Sequence, residues 1–311
     1  MKTPVTFFSS GLSLAGILFT PDGRTGERLP AVVVSHPFTG VKEQTAGIYA
    51  ERLARAGFAA LTFDAAYQGQ SEGEPRQLEN PFQRAENIKS AVSFLTTRDE
   101  VDAERIGALG ICASGGYVPY AAQTDPRVKA VATVSAVDLG GMFRDGVDGN
   151  QNPDVLQDML SASAAARSEE ARGQEPRVDD ILPATRQEAE SGGYPYLMRE
   201  GFDYYRTERG HHPRSTNLFV TRSLDLLAQY DSYAMIEMIS PRPLLMIAGT
   251  EADTARFSRE AVERAAEPKD LFWIDGATHM DLYDKDQYVT PAVTRLTAFF
   301  TENLTAQRPC A

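Results

Sequence analysis

The apolar positions of this chain fall into short unbroken runs separated by stretches of helical spacing. Residues 5–9 and 14–19 read as two strands joined by a turn at Gly11, and Pro21-Asp22-Gly23 marks a second turn. Residues 30–35, Pro-Ala-Val-Val-Val-Ser, form a continuous run of the kind seen in strands buried on both faces of a parallel sheet. Tyr49, Leu53 and Ala56 share a helical face that Gly57 ends, and residues 58–63 form the next buried strand, closed by Asp64. Ala85, Ile88, Val92 and Leu95 return to helical spacing. Strands follow at residues 105–111, 128–135, 244–248 and 271–274. Val289, Val293, Leu296 and Phe300 give the face of a last helix. This alternation predicts an α/β fold with a mostly parallel central sheet flanked by helices.

One segment breaks the rhythm. Residues 138–230 lack such runs, are rich in Ala, Glu, Gln, Arg and Asp, and carry aromatic patches such as Tyr194-Pro195-Tyr196-Leu197. They predict a helical cap inserted between two core strands, with the core formed by residues 1–137 and 231–311. A partly disordered surface loop is the alternative, and the aromatic content argues against it.

Composition narrows the functional classes. Hydrophobic residues make up 42% and charged residues 24%, as in an ordinary globular chain. The net charge of −12 disfavours general affinity for nucleic acid or an anionic membrane, so neither is expected as a partner. Two cysteines, Cys112 and Cys310, make no disulfide framework, and a reducing compartment is the default. Residues 1–10 do not resemble a signal peptide and no apolar stretch reaches membrane-spanning length. A cytoplasmic protein is expected.

The chemistry concentrates in Gly110-Ile111-Cys112-Ala113-Ser114-Gly115-Gly116, where a strand runs into a helix. A side chain projecting from such a tight turn needs small residues two positions before and after it. Cys112 satisfies this with Gly110 and Ser114, and Ser114 satisfies it with Cys112 and Gly116. The buried run ends at Gly110, which sets the turn at residue 112 and leaves Ser114 in the first helical turn. Cys112 is therefore the expected nucleophile, against the alternative of a buried structural cysteine.

This run resembles the cysteine variant of the α/β-hydrolase elbow found in dienelactone hydrolases. The wider sequence is similar to bacterial dienelactone-hydrolase-like proteins grouped with fungal polyketide transferases. The similar runs are Ser35-His36-Pro37-Phe38-Thr39-Gly40, Phe63-Asp64, Gly69-Gln70-Ser71-Glu72-Gly73-Glu74-Pro75 and residues 276–283, Gly-Ala-Thr-His-Met-Asp-Leu-Tyr. The resemblance covers about residues 5–137 and 231–305 and leaves the insertion unmatched. It implies an α/β-hydrolase fold, a base and an acid in the order Cys, acid, His, and an oxyanion hole of two backbone N–H groups.

His279, in the loop after the last core strand, is the expected base. His36 is expected to shape the oxyanion loop, and adjacent His211 and His212 read as a solvated turn rather than a metal pair. Asp253, in the loop after residues 244–248, is the expected acid; Glu251 and Asp138 are its rivals, with Asp138 expected instead to cap the start of the insertion. Ala113 and Phe38 are the expected oxyanion donors, with Thr39 behind Phe38, because Pro37 has no N–H. Asp64 reads as a structural hydrogen-bonding residue, and Tyr67, on the same edge of the sheet, as a substrate contact.

The expected function is a Cys112-His279-Asp253 hydrolase acting on an ester, lactone or thioester through an acyl-enzyme, with no metal or organic cofactor. The rival readings are an acyl or polyketide transferase using an alcohol acceptor, and a non-catalytic ligand-binding protein on the same fold. The expected partner is a small-molecule acyl substrate, with a homodimer left open.

Overall fold

The apolar run at residues 30–35 becomes the middle of the sheet. The computed structural model describes residues 1–23, 26–191 and 193–305, and Cys310 lies outside the described residues. Strands β1 (Lys2–Ser9) and β2 (Leu12–Phe19) form an antiparallel hairpin through Ser10 and Gly11, both at positive φ. Strand β3 (Leu29–Ser35) is buried at every position. Helix α1 (Thr45–Arg55) buries Tyr49 and Leu53 and leads into β4 (Ala59–Phe63). Helix α2 (Pro81–Thr96) starts where the Asn80 side chain accepts from the Phe82 and Gln83 N–H groups, with proline in its first turn. Strand β5 (Val101–Ile111), helix α3 (Ser114–Thr124) and β6 (Val128–Val134) complete the first half of the core.

Residues 138–230 then leave the sheet. They form α4 (Leu139–Asp145), α5 (Pro153–Ala171), a short strand β7 (Val178–Asp180), α6 (Arg186–Glu190), α7 (Tyr196–Tyr205), β8 (Leu218–Val220) and α8 (Ser223–Gln229). Five helices match the expectation from composition. The antiparallel β7–β8 pair does not, because three-residue strands leave no periodicity to read. Asp138 caps α4, accepting from the Gly141 N–H at 3.1 Å, as anticipated. The chain re-enters the core at β9 (Leu244–Gly249), α9 (Ala255–Arg264), β10 (Lys269–Ile274), the short α10 (Asp281–Asp284) and α11 (Asp286–Thr305).

The eight core strands order as β1-β2-β4-β3-β5-β6-β9-β10 and are parallel from β4 to β10. Helices α1 and α11 pack together, as do α2 and α3, and both pairs flank the central strands. This is the α/β-hydrolase fold. Among the described residues, no helix is long and apolar enough to cross a membrane.

Phe300 of α11 shows how closely the layers approach. Its ring is fully buried against Phe58, and a Cβ at Gly107 of β5 would come within 2.8 Å of it. Phe300→Ala is expected to lower stability by about 3–5 kcal/mol in urea denaturation. Activity per folded molecule should be unchanged, because the ring packs on Phe58, Phe299 and Gly107, none of them a site residue.

Candidate active site

The elbow forms where β5 meets α3. Cys112 sits at φ +56°, in the left-handed region that a non-glycine residue enters only when the surroundings hold it there. Two hydrogen bonds do so: the Cys112 N–H donates to the Val134 carbonyl at 3.1 Å, and the Val137 N–H donates to the Cys112 carbonyl at 2.9 Å. Glycine is required at residue 110, where a Cβ would lie 1.9 Å from the Ser114 carbonyl oxygen. Gly116 meets Ser232 as closely, with a Cβ falling 2.3 Å from its Oγ. The turn therefore comes at residue 112.

Ser114 faces inward and is fully buried. Its hydroxyl donates to the His36 carbonyl at 2.6 Å and lies 2.9 Å from Ser35 Oγ. Arg84 donates to both Ser114 Oγ (3.1 Å) and the His36 carbonyl (2.7 Å). Arg84 is itself buried beside Glu79 (3.7 Å) and over the Tyr117 ring. This cluster ties the elbow to the loop after β3. His36 holds that loop from the other side. Its Nε2 accepts from the Ala65 N–H at 3.0 Å, so Nδ1 carries the proton and donates to the Pro37 carbonyl at 2.7 Å. The result brings the N–H groups of Phe38 and Ala113, the two expected oxyanion donors, to face the Cys112 sulfur.

His279 lies in the loop between β10 and α10, fully buried. Ser135 Oγ donates to its carbonyl at 3.1 Å. Its Nδ1 is 2.6 Å from Thr254 Oγ1 and its Nε2 is 3.1 Å from the Tyr283 hydroxyl. That hydroxyl also faces the Cys112 sulfur. The order in space is thus Cys112, Tyr283, His279, Thr254.

The expected Asp253–His279 pair is not formed. Asp253 Oδ2 accepts from the Leu197 N–H at 2.9 Å, in the first turn of α7. That helix follows Pro195 and has no side-chain cap of its own, so its free N–H groups and positive end draw the carboxylate. Thr254, the next residue, faces the imidazole instead. Neither rival acid takes the place: Glu251 is exposed, and Asp138 holds Gly141 and Ser232. Among the described residues no carboxylate hydrogen bonds to the His279 ring.

Cys112 opens into an apolar pocket with about 440 Å³ of empty space including its mouth. The core contributes Phe38, Thr39, Val137, Met280 and Tyr283. The inserted segment contributes Leu139 and Met142 from α4, Ile181 and Leu182 after β7, and Leu197, Met198 and Tyr205 from α7. Among the described residues, no charged side chain lines it. The Tyr205 hydroxyl is buried here without a hydrogen-bond partner of good geometry.

Tyr67 is not part of this lining, against expectation. Its N–H donates to the Glu72 carbonyl at 2.8 Å, and its ring packs on Gly73, where a Cβ would fall 2.4 Å from Cδ1. Asp64 is structural as expected, buried in a 2.6 Å ion pair with Lys42. His212 Nδ1 accepts from the Arg214 N–H at 3.3 Å, and among the described residues no group of three His, Cys, Asp or Glu side chains is arranged to hold a metal.

Residues 14–136 match the dienelactone hydrolase family. The uncharacterized protein YcjY of Escherichia coli is 39% identical over 98% of this chain and 100% of its own length. PA2218 of Pseudomonas aeruginosa is 36% identical, and its crystal structure superimposes with a TM-score of 0.91 over 98% of this chain and 94% of that one. The chain belongs to the dienelactone hydrolase family. The thiohydrolase aneE of Aspergillus aculeatus is a more distant relative, 28% identical over 76% of this chain and 72% of its own.

Burial dominates the electrostatics around the cysteine. It pushes the Cys112 thiol above its ordinary range, partly offset by Tyr283, the Ala113 and Phe38 N–H groups and Arg84. Burial also pushes His279 down to about 3, with no charged partner to raise it. Burial thus favours a neutral thiol and a neutral imidazole over an ion pair across Tyr283. Sequence reasoning missed Tyr283, Thr254 and Tyr205. The first had a signal, since Tyr283 lies only four residues after His279, in the short helix that its loop enters.

Two outcomes are expected. Ser114→Ala should lower stability by about 1–3 kcal/mol, because Arg84 and the His36 carbonyl lose a buried partner, while turnover per folded molecule stays within several-fold of wild type. The buried neutral histidines also set an acid limit. The folded chain binds fewer protons than the unfolded chain below the unfolded histidine value of about 6.5. Stability is thus fully present above that value and is lost as pH falls toward about 3 for His279. His36 is likewise lowered, by burial and by Arg84. Urea midpoints measured from pH 7 to pH 4 should fall less steeply for His279→Gln than for wild type.

Proposed function

We propose that this protein is a hydrolase that cleaves an ester or thioester of a neutral, apolar acyl group through an acyl-enzyme on Cys112. The observation that carries this reading is the Phe38 and Ala113 N–H pair facing a sulfur that opens into an uncharged, apolar pocket. On this reading those donors stabilise the negative charge that develops on the carbonyl oxygen as sulfur attacks. The N-terminus of α3 adds its dipole at the same point. His279 is the base that takes the thiol proton during attack, since the resting pair is neutral. Water then attacks the acyl-enzyme and regenerates the thiol. The name of the relative aneE, a thiohydrolase, supports a thioester as one class of substrate.

The same acyl-enzyme passed to an alcohol would make the protein an acyltransferase. The similarity of its motifs to fungal polyketide transferases and the apolar lining of the pocket favour that second reading. Product analysis of a hexanoyl thioester with and without a primary alcohol separates the two, since transfer yields the hexanoyl ester and hydrolysis yields hexanoate alone. In either case Cys112→Ala should reduce turnover by about 10³-fold or more, the scale on which removing a covalent nucleophile acts. Turnover that survives this change would overturn the proposal.

A further inference from the structure

We propose that the Tyr283 hydroxyl carries the proton between Cys112 and His279, which makes it a catalytic residue of this site. The inference rests on the reading of Cys112 as nucleophile and adds the route by which its base reaches it. His279 is fully buried, and both ring nitrogens are engaged. Nδ1 is held by Thr254 Oγ1 at 2.6 Å, and among the described residues Nε2 has the Tyr283 oxygen, 3.1 Å away, as its one hydrogen-bond partner. Tyr283, unlike His279, lines the pocket and faces the sulfur. The hydroxyl therefore stands between the base and the atom it serves.

The surroundings fix this hydroxyl in place. The Tyr283 ring is packed edge-on against Tyr204, with centroids 5.0 Å apart, and against Tyr205 at 6.3 Å. Tyr49 donates to the carbonyl of the preceding residue, Leu282, at 2.7 Å. A phenol both accepts and donates, so it can take one proton as it gives another. With Nδ1–H donating to Thr254, Nε2 is the acceptor for Tyr283 O–H, and the phenol oxygen is free to accept from S–H. Burial also holds the Tyr283 phenol well above its ordinary range, so it is not a resting anion and passes protons without storing charge.

The sulfur–carbon bond forms as the carbonyl π pair moves onto oxygen, facing the Phe38 and Ala113 N–H groups. The thiol proton passes to the Tyr283 oxygen while the Tyr283 proton passes to Nε2, leaving a neutral tyrosine and an imidazolium. On collapse, the bond to the leaving oxygen or sulfur breaks and its electron pair departs with that atom. The leaving atom takes the Tyr283 proton as Nε2 returns one to Tyr283. In the second half water gives its proton to Tyr283, which passes one to Nε2, as the water oxygen bonds to the acyl carbon; the carbon–sulfur bond then breaks with its electron pair on sulfur, and Tyr283 returns a proton to the sulfur as Nε2 returns one to Tyr283.

The test is burst kinetics with p-nitrophenyl hexanoate on the full chain, comparing wild type, Tyr283→Phe, His279→Gln and the double variant. Tyr283→Phe keeps the ring packing, and near-UV circular dichroism checks its fold. Acylation should slow about 100-fold or more, with KM little changed, and the double variant should be no slower than the slower single variant, because the two groups act as one unit. A proton inventory of wild-type acylation in mixed H₂O and D₂O should curve downward, as two protons in flight require. Acylation by Tyr283→Phe within three-fold of wild type would overturn the relay, and so would a linear inventory. The inventory decides the matter even if the variant fails to fold. Turnover that survives Cys112→Ala is a different result: it overturns the nucleophile and the relay together.

Discussion

The site depends on one close approach, the backbone of β5 against the first turn of α3. With a Cβ at residue 110 lying 1.9 Å from the Ser114 carbonyl, no residue but glycine lets strand and helix meet at this angle. The left-handed conformation of Cys112 follows from that angle and is held by its two hydrogen bonds to the β6 end. Such strain persists only where packing over-determines it, and here the strand is buried on both sides. The inward turn of Ser114 has the same origin. It places a hydroxyl where it can bind the loop after β3, and Arg84 completes the tie. The two N–H groups that face the sulfur come from separate segments, and this buried cluster sets the distance between them.

The inserted segment is bound to the same machinery. Asp253 caps α7, Thr278 Oγ1 donates to Glu200 at 2.6 Å, and Arg209 pairs with Asp284 at 2.7 Å. On the other side Ser215 Oγ donates to the Thr39 carbonyl at 2.8 Å, and Gln44 donates to the Gly210 carbonyl at 2.7 Å. These bonds join the pocket's apolar wall to the loops that carry His279 and Phe38. A change of side chains in α7 therefore reaches both the apolar pocket and the geometry at the sulfur.

Much of this was legible in the sequence, for physical reasons that differ by residue. The β-branched runs of β3 and β6 announce strands buried on both faces, and the end of the β5 run at Gly110 locates the turn at Cys112. Proline at residue 37 has no N–H, which makes Phe38 the expected donor, and its N–H faces the sulfur. Where reasoning along the chain failed, a partner from elsewhere in the fold had intervened. Asp253 occupies the position expected of an acid, but the uncapped end of α7, some 56 residues earlier, takes its carboxylate. Tyr67 lies on the right edge of the sheet, but its own loop folds Gly73 onto the ring. Tyr205 belongs to a segment whose folding no strand pattern predicts. Tyr283 was within reach, since it follows His279 by only four residues, at the third position of the short helix that the His279 loop enters.

The most direct measurement is mass spectrometry of the protein quenched during turnover of p-nitrophenyl hexanoate, followed by peptide mapping. With Cys112 as nucleophile, the intact mass rises by one hexanoyl group and the adduct maps to the sulfur of Cys112. An adduct on Ser114, or turnover with no adduct at any quench time and no burst of p-nitrophenol, would contradict it.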